Sequence, residues 1–173
     1  MEIRKGNSSG PLAGLKMLDL SRLLPGPYCT LLLADLGMEV LKVEDPEQGD
    51  YMRMMGSIRK NNGAYFLALN RNKKSMTLDL KNEKGKEIFY ELAKKSDVVI
   101  DNFRAGVLQR LKVDYATLSA INPRIIYAAG SGYGQTGPWA TKGGFDLVAQ
   151  GVSGIMSVTG EPGRPPAAQP VGA

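Results

Sequence analysis

Three groups of residues in this sequence have side chains whose types and spacing suit chemistry. The first follows a glycine-dense loop, Gly130-Ser-Gly-Tyr-Gly-Gln-Thr-Gly-Pro138, where Asp146, Gln150, Ser153 and Ser157 recur at helical spacing as one polar stripe. A carboxylate in such a stripe can act as nucleophile, as proton acceptor or as a hydrogen-bonding support. The glycines let backbone approach a ligand closely, because without a Cβ they reach positive φ freely. The other stripe of the same segment, Phe145, Val148, Val152 and Ile155, is apolar, so the polar side points either at a site or at water. The second group is a basic turn, Arg71, Lys73 and Lys74, placed before a strand-like Ser75–Leu80. Such a turn is either solvated or a phosphate site built on ion pairing. The third is Asn102, Phe103 and Arg104, directly after the apolar run Asp97–Ile100.

Composition narrows what these groups can do. The 173-residue chain is 43% hydrophobic and 23% charged, ordinary for one globular domain with a real core. It contains no histidine, which excludes Ser-His-Asp and Cys-His nucleophilic arrangements within the chain. Its single cysteine, Cys29, supplies neither an internal disulfide nor a zinc site, so no metal is expected and a reducing cytoplasm is the default location. Any chemistry must use carboxylate, hydroxyl, lysine or a partner chain. The 22 basic residues exceed the 17 acidic ones by five, but they are spread along the chain. That suits a phosphorylated small molecule and gives no tract for nucleic acid. No stretch is apolar and long enough to span a bilayer, and Met1–Pro11 is polar without a signal core, so the chain reads as soluble and free of membrane.

The elements that must position these groups alternate between strand and helix. Leu15–Leu20 reads as a buried strand and Ser21–Pro27 as a loop. Tyr28–Leu36 reads as a helix with Pro27 in its first turn and Gly37 at its end, and Glu39–Val43 as a second strand. Strand, helix and strand in that order predict a parallel βαβ unit, hence an α/β fold with an open, Rossmann-like parallel sheet. The first loop lacks Gly-x-Gly-x-x-Gly, which disfavours nicotinamide and flavin cofactors. Residues 45–64 break the pattern and read as a lid or contact surface, with Met52, Met54 and Met55 either filling packing gaps or flanking a ligand. A helix is expected over Glu83–Lys95 with Ile88, Phe89, Leu92 and Ala93 buried, then the strand Asp97–Ile100. Asp114 is expected to cap a helix over Tyr115–Ile121, and Arg124–Ala129 to form a strand feeding the glycine loop.

Taken together, the motifs resemble a known family. Pro11-Leu-Ala-Gly-Leu-Lys-Met-Leu-Asp-Leu-Ser, Gly26-Pro, Ala34-Asp-Leu-Gly, Val40-Leu-Lys-Val-Glu, Gly49-Asp, Asn70-Arg-Asn-Lys-Lys-Ser, Asp97-Val-Val-Ile-Asp-Asn-Phe-Arg, Asn122-Pro-Arg-Ile-Ile-Tyr, Ser131-Gly-Tyr-Gly-Gln-Thr-Gly-Pro and Gly144-Phe-Asp are similar, in order and spacing, to the class III coenzyme A transferases, which include formyl-CoA transferase and α-methylacyl-CoA racemase. The resemblance covers nearly the whole chain from Pro11. It implies a Rossmann-like large domain, a smaller second domain, and two chains interlocked as rings in a dimer. On that reading residues 1–10 are a flexible N-terminus and 11–173 the N-terminal part of the coenzyme A-binding large domain, with the remainder of the large domain and the small domain absent.

The resemblance also implies site residues. Coenzyme A contacts are expected at Leu23, Leu24, Leu78, Asn102, Phe103 and Arg110, with Lys142 beside a position that is lysine in some members and Arg104 as a further contact. Many members have arginine where this chain has Asp45. That phosphate contact is therefore in doubt, and Arg71, Lys73 or Lys74 is the suggested replacement. Tyr133, Gln135 and Asp146 are expected as supporting wall residues of an acyl-CoA site. The implied partners are acyl-CoA, a carboxylic acid acceptor, and a second copy or a complementing chain. The implied chemistry is transfer of coenzyme A between carboxylic acids through an aspartyl anhydride and an aspartyl-CoA thioester. Motif alignment places the nucleophilic aspartate directly after Ala173, so the stretch by itself is expected to be inactive. The racemase branch carries histidine at the equivalent of Phe145, which makes racemisation the weaker reading. A non-catalytic coenzyme A-binding partner subunit, and a different α/β binding module sharing the same sheet, remain as alternatives.

Overall fold

The first strand, β1 (Lys16–Asp19), alternates its faces, with Met17 turned to one side of the sheet and Leu18 to the other. The computed structural model describes residues 9–59 and 62–169. Most of the flexible N-terminus expected over 1–10, and residues 170–173, lie outside the described residues.

From β1 the chain runs through α1 (Pro25–Asp35), β2 (Glu39–Glu44), a 3-10 turn (Tyr51–Met54), β3 (Ile58–Arg59), β4 (Asn62–Gly63), α2 (Ala64–Leu69), β5 (Lys74–Thr77) and α3 (Glu83–Ala93). It continues through β6 (Val98–Asp101), α4 (Val107–Leu111), α5 (Tyr115–Ile121), β7 (Ile126–Ala129), α6 (Asp146–Ser153) and a second 3-10 turn (Ile155–Val158). Five strands form one parallel sheet in the order β5-β2-β1-β6-β7, and β3 pairs with β4 antiparallel. The fold is the expected α/β class with an open parallel sheet.

Local chemistry explains the boundaries. Pro25 opens α1, where its missing N–H would have had no helical partner, and Gly37 ends it at φ +98°. Asn82 caps α3 by accepting the Lys84 N–H at 3.0 Å. Asp114 stands at the start of α5, but its carboxylate accepts from Thr117 Oγ1 at 2.7 Å and from no helix N–H. One core lies on the α3, α4 and α5 side of the sheet, around Leu18, Leu20, Phe89, Val99 and Leu118. A second, around Met17, Ala34, Val40 and Ile100, lies under α1.

Two faces differ from the sequence expectation. In α3, Phe89 and Ala93 are fully buried, whereas Ile88 is 48% exposed. The inward direction is set by Gly85, Phe89 and Ala93 at four-residue spacing, and Ile88 falls outside that line. In α6 the apolar stripe is not buried: Phe145, Val148, Val152 and Ile155 are exposed, as are Asp146, Ser153 and Ser157, and only Gln150 is buried. Met52 joins Phe66 and Leu69 in a small core, and Met54 and Met55 are exposed. Among the described residues no helix is long and apolar enough to cross a membrane.

Candidate functional site

In the strand order, the chain builds outward from β1 through β2 to β5 on one side and through β6 to β7 on the other. The order therefore reverses between β1 and β6. Loops leaving the carboxyl ends of those two strands must diverge there, and the gap is the natural ligand crevice of an open α/β sheet. Here the loops are joined by one side chain. Asn102, after β6, accepts the Arg22 N–H at 2.8 Å and donates to the Arg22 carbonyl at 2.7 Å. Leu23 follows at φ +63°, a left-handed conformation unfavourable for a branched residue, and its N–H donates to Asp50 Oδ1 at 3.1 Å. Gly26 lets α1 begin against this loop, since a Cβ there would lie 2.2 Å from the Ser21 Cβ.

Beneath the loop, on the α1 side, lies a buried charged centre. Asp19, wholly buried, accepts hydrogen bonds from Ser21 and from Thr30 Oγ1 (2.6 Å), and pairs with Lys73 Nζ at 3.4 Å. Lys42 Nζ donates to the Ser21 carbonyl at 2.7 Å and stands 2.9 Å from Asp50 Oδ2, an ion pair not aligned as a hydrogen bond. Glu44 takes Arg53 in a two-point pair at 2.7 Å each, along with Ser75 Oγ at 2.6 Å and the Asp50 N–H at 3.0 Å. Three carboxylates thus face three cations, the condition for burying charge without prohibitive desolvation. Burial resists ionisation of Glu44, but the bonds from Arg53, Ser75 and Asp50 outweigh it and push its pKa down to about 2. Burial also pushes the Lys73 ammonium down to about 8, against the pull of Asp19.

On the other side of the loop a cleft of about 270 Å³ opens at the carboxyl ends of β1, β2 and β5 and the loop after β6. Leu20, Val43, Leu78, Phe103, Val107 and Leu111 give it apolar walls, and Arg22 and Lys81 are the cations that line it. Phe103 and Leu78 are therefore brought together here, and Asn102 acts beside them by holding the Arg22 backbone. Leu23 and Leu24 meet the same loop through their backbone, but their side chains pack against the Met52, Phe66 and Leu69 core.

The other expected residues lie elsewhere. The basic turn is not at the cleft. Arg71 pairs with Asp35, Lys74 with Glu39 at 2.8 Å, and Lys73 donates to Pro27 O at 2.8 Å and Asn70 Oδ1 at 2.9 Å as well as pairing with Asp19. Each of these cations already has a partner inside the chain. Arg110, in α4, is exposed, with Nη1 toward Gly106. Arg104 and Gln135 line a separate cavity of about 370 Å³ with Asp101, Asp114 and Tyr127, and the Arg104 guanidinium lies against Gly143. Burial raises the Asp101 pKa against hydrogen bonds from the Phe103 N–H and Tyr127, and burial and Asp101 together raise that of Tyr127. Tyr133 stacks edge-on with Trp139 at 5.3 Å, and Lys142 Nζ lies over the Trp139 ring at 4.5 Å. Gly132 and Gly144 are the close approach that shapes this loop, because a Cβ on Gly132 would meet the Gly144 Cα at 2.5 Å.

Asp146 is the first residue of α6, where the helix dipole favours a negative charge, and it accepts from Gln150 Nε2. Gln150 in turn accepts the Gln169 N–H at 2.8 Å and donates to the Gln169 carbonyl at 3.2 Å. Of the polar stripe, Gln150 is buried against the segment that leads towards Ala173, while Asp146, Ser153 and Ser157 are exposed.

Sequence reasoning passed over Arg22, Asp19, Lys42, Glu44 and Asp50. A signal was present for two of them: Asp19 and Lys42 interrupt otherwise apolar strands, and a charge at a core position requires a partner. Glu44 and Asp50 fell inside motifs that carry the family resemblance but were given no role, and nothing local marked Arg22.

The fold and the crevice define the class first: an open α/β domain with a cleft at the switch point of a parallel sheet, where such folds place their ligands. Residues 12–173 match CoA-transferase family III, and the chain belongs to that family. It is 46% identical to an acyl-CoA transferase of Fusarium pseudograminearum, covering 96% of this chain and 38% of the relative. It is 44% identical to the acetyl-CoA:oxalate CoA-transferase of Acetobacter aceti, covering 95% of this chain and 42% of that one. The chain therefore spans about two-fifths of the length of these curated relatives. A CAIB/BAIF family protein from Brucella suis, of known crystal structure, superposes with a TM-score of 0.88 at 45% identity over 94% of this chain and 44% of that one.

Proposed function

We propose that the protein moves coenzyme A between carboxylic acids, with an acyl-CoA as donor and a free acid as acceptor. The observation that carries this reading is the cleft at the β1–β6 switch point, with an apolar wall at Leu78 and Phe103 and a loop tied in place by Asn102. An apolar cleft with a few fixed polar groups suits the nucleotide end of coenzyme A. In this reading Asn102, Phe103, Leu78 and the backbone of Leu23 and Leu24 hold that end. Arg104, Arg110 and Lys142 are proposed as further cations of the coenzyme A site from outside this cleft, Arg104 in the cavity it shares with Gln135, and Tyr133, Gln135 and Asp146 as supporting wall residues.

The reacting group is proposed to be an aspartate immediately beyond Ala173, supplied by the full-length protein. One of its oxygens attacks the thioester carbonyl, the C–S bond breaks, and coenzyme A leaves as a thiolate from a mixed anhydride. The thiolate then attacks the aspartyl carbonyl, releasing the donor acid and leaving an aspartyl-CoA thioester. The acceptor carboxylate attacks that thioester, and the returning thiolate takes the acceptor acyl group from the second anhydride, freeing the aspartate. Each step exchanges one carboxylate or thiolate for another, so charge balances without proton transfer, and a difficult exchange is divided into covalent steps. The Gln150–Gln169 bonds support this reading, because they tie the approach to Ala173 to α6. Phe145 has no proton to move and favours transfer over racemisation. The exposed apolar side of α6 is proposed to be covered in a dimer of full-length chains, and the 173-residue stretch by itself to be inactive.

The test is coenzyme A exchange between an acyl-CoA and a panel of carboxylic acids, followed by mass spectrometry in the full-length protein. Exchange that disappears when the aspartate after Ala173 becomes alanine is the expected result. Exchange that survives the substitution refutes the covalent mechanism, and failure to bind coenzyme A refutes the reading as a whole.

A further inference from the structure

Arg22 differs from most of the other basic residues packed around the switch point. Lys42, Arg53, Lys73, Arg71 and Lys74 all have carboxylate partners within the chain. Among the described residues the half-buried Arg22 guanidinium has no carboxylate within ion-pairing distance, and its charge is felt only more distantly by Asp45 in the cleft that both residues line. Its carbon lies 4.8 Å from the Phe103 ring centre and 5.8 Å from that of Tyr51. A guanidinium lying over an aromatic ring is weakly hydrated and keeps its in-plane N–H donors available, which is the arrangement that pairs with phosphate.

The backbone of Arg22 is also unusually well held. Asn102 binds both its N–H and its carbonyl, the preceding carbonyl accepts from buried Lys42, and the following N–H donates to Asp50. A side chain on such a frame loses little freedom when it meets a ligand. The charges around it give this position further weight. Asp45, Glu47 and Asp79 line the same cleft, and the carboxylates of Asp45 and Asp79 are engaged by turn N–H groups, Glu47 and Gln48 for the first and Lys81 for the second. Against them the cleft has only Arg22 and Lys81. Arg22 is thus one of two cations that offset the acidic lining, and its loss would leave Lys81 alone.

We infer that Arg22 is the residue that reads the phosphorylated nucleotide end of the thioester substrate, supplying the cation that Asp45 does not; this rests on the proposed coenzyme A reading. The test uses the full-length enzyme with two thioesters of the same acid, one on coenzyme A and one on pantetheine, which lacks the nucleotide. Arg22→Ala is expected to raise KM for the acyl-CoA about 10- to 100-fold, the loss of one charge-assisted contact, with kcat nearly unchanged. KM for the acyl-pantetheine is expected to move less than about two-fold, and Arg22→Lys to recover part of the acyl-CoA loss. Equal losses on both thioesters would show that Arg22 only shapes the loop and would overturn the inference, as would an unchanged KM for acyl-CoA. Direct binding of coenzyme A to Arg22→Gln, compared with the unsubstituted enzyme, decides the matter if the alanine variant does not fold. A wild-type enzyme that exchanges neither thioester and binds no coenzyme A would instead refute the function on which the inference rests.

Discussion

Replacing Glu44 by glutamine keeps the shape of the side chain but removes a charge that four hydrogen bonds converge upon. Oε1 accepts from Arg53 Nη2 and Ser75 Oγ, and Oε2 accepts from Arg53 Nε and the Asp50 N–H. An amide must present its NH₂ to one of these pairs, so donor meets donor whichever way it turns. Arg53 retains its stacking over Phe66 at 3.7 Å and is partly solvated, which limits the loss. The depression of the Glu44 pKa from 4.5 to about 2 corresponds to about 3 kcal/mol of stability, since each unit is worth about 1.4 kcal/mol. Because the folded-state value is the lower one, that stability is fully present above pH 4.5 and is lost as pH falls towards 2. The gap between wild type and Glu44→Gln is therefore expected to be about 3 kcal/mol at pH 7 and about 2 kcal/mol at pH 3.5. Urea unfolding of both proteins at pH 7, 5 and 3.5 measures it. A gap that is the same at pH 7 and pH 3.5, or smaller than about 1 kcal/mol at pH 7, would refute the account of Glu44 as the ionised hub of this network.

Two further perturbations probe the glycine loop and the exposed helix. Gly132→Ala drives a Cβ into the Gly144 backbone and should spread the loop, lowering kcat/KM of the full-length enzyme at least about ten-fold; unchanged kinetics would show that this contact does not shape the site. Val152, 57% exposed on the apolar side of α6, should tolerate Asp without loss of fold while weakening association between chains. Sedimentation velocity would show the shift, and an unaltered association state with native circular dichroism would place the interface elsewhere.

Much of the architecture could be read from residue order. Pro25 and Gly37 punctuate α1, and apolar runs alternate with helical periods from β1 to β7. The parallel sheet follows from that alternation, because parallel neighbours need a crossover between them. Boundaries moved by up to three residues, as at α1, which begins at Pro25 and not at Tyr28, and at β5, which ends at Thr77 and not at Leu80. The inward faces of α3 and α6 were harder to read. Periodicity gives the spacing of a stripe but not what lies opposite it, and in α6 a single buried amide, Gln150, has a covalently distant partner at Gln169.

The site divides in the same way. Asn102 and Phe103 were identifiable from the sequence because they follow a strand end, where an α/β sheet places its ligands, and Leu78 was expected from the family resemblance alone; Phe103 and Leu78 line the cleft. Arg71, Lys73 and Lys74 looked like a phosphate site because cations cluster there. Their partners, Asp35, Asp19 and Glu39, lie 36, 54 and 35 residues away in the chain and no local pattern reveals them. Arg22 is the converse case, an unremarkable loop residue that the fold sets over Phe103 in the cleft with no carboxylate within ion-pairing distance among the described residues. Residue types and their order determined the strands, the helices, the sheet and the family. Which charges are neutralised by one another and which are left for a ligand was decided only when β1, β2, β5 and β6 came side by side, because electrostatic pairing depends on distance in space and not on separation along the chain.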